Sequence, residues 1–210
     1  MDPGVTLGAD LIGICRRLCE RGLVAATDGN VSCRCEDGTI LITPSGVAKG
    51  ELEQTDLLRL DERGQVLAGV GKPSSEFRMH MAVYSRRPDV SAVVHAHPPM
   101  LTAFTLAGMP FTAETLPEVW LTIGPVPTAR YATPSTAEVV TAIVPFVADH
   151  QAILLERHGS LTMGKDLKEA YLRLEKLEHA AHTLFYSHLL SGRTPAPLPP
   201  EALAKLAALR

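Results

Sequence analysis

The chain has 210 residues, 46% of them hydrophobic and 20% charged, with a formal net charge of −3; that length and composition suit one domain over 1–210 with a sizeable core. No basic stripe is present, which excludes an electrostatic grip on nucleic acid or on an anionic membrane. No run approaches the roughly 18 apolar residues of a spanning helix, and the start, MDPGVTLGADLIG, lacks the basic segment and long apolar run of a signal peptide, so a cytoplasmic protein is expected.

Apolar residues at helical spacing (Leu11, Ile14, Cys15, Leu18) predict a helix from about Gly8 to Glu20, stopped by Gly22. The four cysteines, Cys15, Cys19, Cys33 and Cys35, lack zinc-ribbon spacing and read as reduced structural thiols. After the turn Thr27-Asp28-Gly29-Asn30, Val31 to Arg34 alternates as a strand, and Asp37-Gly38 turns it into a returning strand, Thr39 to Thr43. Pro44-Ser45-Gly46 breaks that strand, and a second hairpin joins Asp56–Asp61 to Gln65–Ala68. A helix is expected from Ser75 to Arg87, a short buried strand from Ser91 to His95, and a helix from Met100 to Leu106. The Pro- and Thr-rich stretch from Met109 to Thr133 predicts short strands at most. A helix follows from Thr136 to Val147, then strands Ala152–Glu156 and Gly159–Met163, then a long helix from Asp166 to about Leu190. A Pro-rich tail begins at about 193, and a last helical segment, Glu201 to Leu209, either docks on something or stays loose. Short strands in hairpins, with helices set among them, point to an α+β fold with a mostly antiparallel sheet.

The strongest chemical signal is Val93-Val94-His95-Ala96-His97-Pro98-Pro99. On a strand, residues two apart point to the same face, so His95 and His97 present two imidazoles together. His158, at the end of another apolar strand and followed by the permissive Gly159, supplies a third ligand. Three histidines with an open position form the catalytic pattern for Zn²⁺. Among the other histidines, His179 and His182 form an i, i+3 pair on the long helix, and His80 lies one turn after Glu76, where it can pack beneath the site. Lys72-Pro73-Ser74-Ser75-Glu76 opens a helix whose early N–H groups suit an anion. Glu76 reads equally as a helix cap or as a carboxylate beside the metal, able to act as a base. The turns at Thr27–Asn30 and Thr43–Gly46 are ordinary taken singly, but together with Ser74 and Ser75 they can nest one phosphate.

Six ordered segments (Thr27-Asp-Gly-Asn-Val-Ser32, Ile42-Thr-Pro-Ser-Gly46, Lys72-Pro-Ser-Ser-Glu76, Val94-His-Ala-His-Pro98, Tyr131-Ala-Thr133 and Arg157-His-Gly159) resemble the class II aldolase/adducin family, and most of all its L-fuculose-1-phosphate aldolase branch. The resemblance implies a three-layer α/β/α fold around a mainly antiparallel sheet, assembled as a homotetramer. It implies Zn²⁺, with Mn²⁺ or Co²⁺ as alternatives, on His95, His97 and His158; Glu76 as acid/base; and Gly29, Asn30, Ser45, Gly46, Ser74 and Ser75 around a substrate phosphate. The implied activity is cleavage of a ketose 1-phosphate to dihydroxyacetone phosphate and an aldehyde. A decarboxylase or epimerase of sugar phosphates or sugar acids, or a non-catalytic adducin-like interaction domain, are the alternatives. One departure stands out. The aldolase branch is expected to bring in a tyrosine from a neighbouring subunit, whereas Pro110 to Trp120 contains none, and Glu114 or Glu118 are the candidates to replace it.

Overall fold

The computed structural model describes residues 3–209. Strands β1 (Asn30–Arg34), β2 (Ile40–Ile42), β3 (Leu58–Leu60), β4 (Val66–Ala68), β5 (Ala92–Ala96), β6 (Thr128–Ala129), β7 (Ala152–Leu155) and β8 (Gly159–Gly164) make one sheet in the order β4-β3-β2-β1-β5-β8-β7-β6. Every neighbouring pair is antiparallel except β6 with β7. The described helices are α1 (Pro3–Glu20), α2 (Phe77–Tyr84), α3 (Pro99–Leu106), α4 (Pro117–Thr122), α5 (Ala137–Val147), α6 (Leu167–Ser191) and α7 (Pro200–Ala207). None of them is long and apolar enough to cross a membrane.

Strand alternation divides the core in two. Val31 and Cys33 of β1 and Ala92, Val94 and Ala96 of β5 face a cluster shared with α1, α3, α4 and α6. Val93 of β5 and Ile40 and Ile42 of β2 face the opposite cluster, shared with α2 and α5. The result is an α/β/α sandwich around a mainly antiparallel sheet, as the family resemblance implies. On the α2 face, β1 and β5 also carry polar residues: Asn30 pairs with His95 and Ser32 with Val93 in register, so Asn30, Ser32 and His95 all point toward α2.

The ends of the long helix are built from local chemistry. Asp166 caps α6 by accepting from the Glu169 amide at 2.7 Å, and Gly192 closes it in the left-handed region at φ 68°. From the middle of α6, the buried Glu178 accepts the amides of Met100 and Leu101, each at 2.9 Å. A carboxylate from one helix thus caps the N-terminus of α3, the helix that follows directly on His97 and Pro98.

Several element limits differ from the sequence-based expectation, two of them near the site and the tail. Helix α2 spans Phe77–Tyr84, so Ser75 and Glu76 lie in the turn before it, with Glu76 at the cap position. The stretch from 109 to 133 holds α4 as well as the two-residue β6; Pro117 at the first turn starts a helix too short to show a periodic signal. The last segment docks within the chain, where Trp120 Nε1 donates to the Leu203 carbonyl at 3.2 Å and the Leu198 amide donates to the Glu114 carbonyl at 2.9 Å.

Because Glu178→Ala leaves two helix N-terminal amides without an acceptor, the substitution should lower unfolding stability by about 2–3 kcal/mol, read by chemical denaturation.

Candidate metal centre and anion cleft

His95 lies one residue before the end of β5 with no exposed surface, and its Nδ1 lies 2.9 Å from the Ser160 carbonyl on β8. A carbonyl only accepts, so Nδ1 carries a ring hydrogen and Nε2 is the nitrogen left to ligate a cation. His97 lies one residue beyond β5, where its amide donates to the Leu23 carbonyl at 3.0 Å. Its Nδ1 faces Asp28 Oδ2 at 3.5 Å, which orients its Nε2 toward His95. His158 hangs on the tight turn between β7 and β8: its amide donates to the Leu155 carbonyl at 3.0 Å, and Arg157 adopts the left-handed region at φ 60°. That strained conformation is held by the Arg157 amide donating to Thr105 Oγ1 at 3.0 Å. Gly159 is required beside it, because a Cβ there would collide with the Ala96 carbonyl and the His97 ring.

These elements bring the three rings to centroid separations of 4.8, 4.9 and 5.0 Å. Glu76 stands among them, its Oε2 3.0 Å from His95 Nε2 and its Oε1 3.2 Å from His158 Nε2. The four ligand atoms of Glu76, His95, His97 and His158 lie within 4.8 Å of one another. His95 Nε2 and His97 Nε2 sit 3.0 Å apart, and buried Glu76 Oε1 has no hydrogen-bond partner. Lone pairs and a carboxylate converging with too few hydrogens to share are the donor set of a divalent cation, and the residues fit one.

Burial alone would raise the Glu76 carboxyl, but His95 and His158 beside it hold it well below the usual carboxylate range. Burial, with His95 and His158 nearby, brings His97 down to about 4, so it is neutral and able to ligate at neutral pH. His80, fully buried, is brought down to about 3, chiefly by desolvation.

A cleft of about 280 Å³ opens from this cluster, and all six residues expected at a phosphate line it: Gly29, Asn30, Ser45, Gly46, Ser74 and Ser75. Its turns are joined to one another. The Ser45 amide donates to the Lys72 carbonyl at 2.9 Å, and the Ser74 amide to the Thr43 carbonyl at 3.3 Å. The buried Lys49 ammonium donates to the Thr27 carbonyl at 2.9 Å and to the Val47 carbonyl at 2.8 Å, bridging the first turn to the second. Gly29, at φ 72°, has no room for a side chain against Val24 and the His95 carbonyl. Asn30 reaches the cleft, but its side chain is engaged beneath it, with Nδ2 donating to Glu76 Oε2 at 3.2 Å.

Sequence reasoning missed Lys49, which looks like a surface residue until the turns around it are folded, and Ser135, whose hydroxyl donates to Ser75 Oγ at 2.7 Å from the loop before α5. Glu114 and Glu118 do not line this cleft. His182 Nε2 lies 3.4 Å from Glu178 Oε1 on its own helix, and neither His179 nor His182 belongs to the cluster.

The family model described as "Class II Aldolase and Adducin N-terminal domain" matches residues 9–185. An L-fuculose phosphate aldolase from Methanococcus maripaludis is 35% identical over 173 residues, covering 82% of this chain and 92% of its own. A 3-oxo-tetronate 4-phosphate decarboxylase from Pectobacterium atrosepticum is 32% identical over 185 residues, covering 84% and 83%. Among solved structures, the YgbL protein from Escherichia coli superposes with a TM-score of 0.89 at 31% identity, covering 97% of this chain and 99% of its own.

Histidines kept neutral by burial make the metal-free protein sensitive to acid. Burial pushes the folded His80 imidazole down from its ordinary 6.5 to about 3. Below about pH 6.5 the unfolded chain therefore takes up a proton that the native state refuses, and stability falls as pH drops toward 3. His80 alone contributes a slope approaching about 1.4 kcal/mol per pH unit, to be read by urea denaturation of metal-free protein at pH 7, 5.5 and 4.5.

Proposed function

The chain belongs to the class II aldolase and adducin family, and from that premise we propose that it is a divalent-metal-dependent carbon–carbon lyase acting on a sugar phosphate. The reading favoured is cleavage of a ketose 1-phosphate to dihydroxyacetone phosphate and an aldehyde. The observation that carries it is the joining, in one cleft, of a carboxylate among three imidazoles with three linked turns rich in serine and glycine.

His95, His97 and His158 would hold the cation, proposed as Zn²⁺ with Mn²⁺ or Co²⁺ able to replace it. When bound, it supplies Lewis-acid polarisation of the carbonyl oxygen next to the breaking bond. The turns at Gly29–Asn30, Ser45–Gly46 and Ser74–Ser75 would hold the phosphate and so fix the reacting carbons relative to Glu76. In cleavage, the hydroxyl on the far carbon gives its proton to the ionised Glu76 carboxylate and becomes the aldehyde oxygen. The electron pair of the breaking bond passes to the carbon beside the carbonyl, and Glu76 delivers a proton to that carbon to give dihydroxyacetone phosphate. The reverse addition uses the same carboxylate to remove that proton.

Decarboxylation of a 3-oxo acid phosphate is the second reading. It leaves the same electron pair beside a carbonyl and needs the same protonation, with carbon dioxide in place of the aldehyde. The comparable likeness to a decarboxylase favours it, as does the absence of tyrosine from Pro110 to Trp120. The homotetramer expected from the resemblance belongs to the same proposal, and light scattering measures it directly.

Ketose 1-phosphates and 3-oxo acid 4-phosphates, screened with added Zn²⁺, Mn²⁺ or Co²⁺, should separate the readings by release of dihydroxyacetone phosphate or of carbon dioxide. Release of neither defeats both. His95→Ala should abolish metal content and turnover together. Glu76→Gln should retain metal by elemental analysis while kcat falls about 10²–10⁴-fold, the range for losing a general acid–base group.

A further inference from the structure

On the cleft side of the sheet, two polar stripes face each other across an otherwise apolar layer. Asn30, Ser32 and Arg34 recur every second residue on β1; Glu76, His80 and Tyr84 recur every fourth residue on α2 and the turn before it. Two strand residues advance about 6.6 Å and four helical residues about 6 Å, so the stripes stay in step over their whole length. They are joined rung by rung. Asn30 Nδ2 lies 3.2 Å from Glu76 Oε2, and Asn30 Oδ1 lies 2.5 Å from His80 Nε2. Ser32 Oγ lies 2.6 Å from His80 Nδ1 and 2.7 Å from the Tyr84 hydroxyl. At the far end, Arg34 Nη2 donates to the Tyr84 carbonyl at 2.9 Å and the guanidinium lies 4.9 Å from the centre of the Tyr84 ring. Asn30, Ser32, Glu76, His80 and Tyr84 are all buried.

Donor and acceptor chemistry leaves one arrangement of the hydrogens. An ionised Glu76 only accepts, so Asn30 turns its NH₂ toward it. The Asn30 carbonyl then faces His80, so His80 Nε2 carries the hydrogen. Neutral imidazole has one ring N–H, so His80 Nδ1 accepts from the Ser32 hydroxyl, and the Ser32 oxygen accepts from Tyr84. Every bond runs the same way, from Tyr84 through Ser32, His80 and Asn30 to Glu76, and aligned hydrogen bonds in a dry interior reinforce one another.

We propose that His80 is a positioning residue for Glu76: acting through Asn30, it fixes Glu76 Oε2 as a hydrogen-bond acceptor and so sets the orientation of the carboxylate in the cleft. The inference rests on the lyase reading for the use of that carboxylate, but the chain of hydrogen bonds has a direct readout of its own.

The ¹⁵N shifts of the His80 ring in metal-free protein report its tautomer. The expected form has hydrogen on Nε2, and a hydrogen on Nδ1 overturns the proposal whether or not any substrate is found. His80→Gln places an amide donor where Nε2 stood, whereas His80→Asn reaches only as far as Nδ1. His80→Gln should keep the Asn30 side-chain NH₂ resonances and a near-native kcat. His80→Asn should shift those resonances and lower kcat about 10–100-fold, the usual cost of losing a group that orients the active residue, with KM and zinc content unchanged. In an Asn30→Ala background, His80→Asn should cost nothing further in kcat. Equal behaviour of the Gln and Asn variants, or a full additional loss on top of Asn30→Ala, defeats the proposal. A native protein that cleaves no sugar phosphate, yet shows the Nε2 tautomer and the shifted Asn30 resonances, leaves the positioning intact and removes the activity assigned to it.

Discussion

A carboxylate with only 9% of its surface exposed, set between His95 and His158, is the interaction on which the remainder of this structure depends. Removing such a group from water costs several kcal/mol unless its neighbours compensate. Here the compensation comes from widely separated parts of the chain: imidazoles from β5 and from the β7–β8 turn, and an amide from β1. Each of those partners is itself held. The Ser160 carbonyl fixes the His95 ring, the left-handed Arg157 aims His158, and His80 faces the Asn30 carbonyl. Glu76 is therefore positioned by partners from the middle of the sheet as well as by its own turn.

The antiparallel sheet suits this task because its central strands place their ends side by side. β5 lies between β1 and β8, so Asn30, His95 and Leu161 fall in register across three strands. The cluster forms where those strands run out, and the backbone there must pass close to other backbone. Gly29 and Gly159 occupy the two places where a side chain would strike the carbonyls of His95 and Ala96. On the opposite face, Glu178 holds the start of α3 and thereby the chain that leaves His97.

Much of this was legible in the residues. His95 and His97 at strand spacing, His158 before a glycine, and Glu76 in a serine-flanked turn carry their chemistry in local sequence, and the structure gathers all four. The hairpins and long helices were likewise readable from alternation, turn residues and caps. What could not be read depends on contacts distant in sequence. Lys49 acquires its role only when the turns at Thr27 and Val47 close around it. Asn30 resembles a turn residue until α2 lies over β1 and engages its amide. The α4 helix is too short for periodicity to emerge among prolines and threonines, and the tail's resting place on it involves an indole and a backbone carbonyl far apart in sequence.

That indole belongs to the only tryptophan of the chain, Trp120, and its ring nitrogen is tied to a carbonyl of α7. Intrinsic fluorescence excited in the indole band is thus a private reporter of the α4–α7 contact. A red shift of its emission before the far-ultraviolet dichroism changes would mean that the C-terminal segment peels away while the sheet is still folded. The molecule carries, without any added label, a means of separating the release of its tail from the melting of its core.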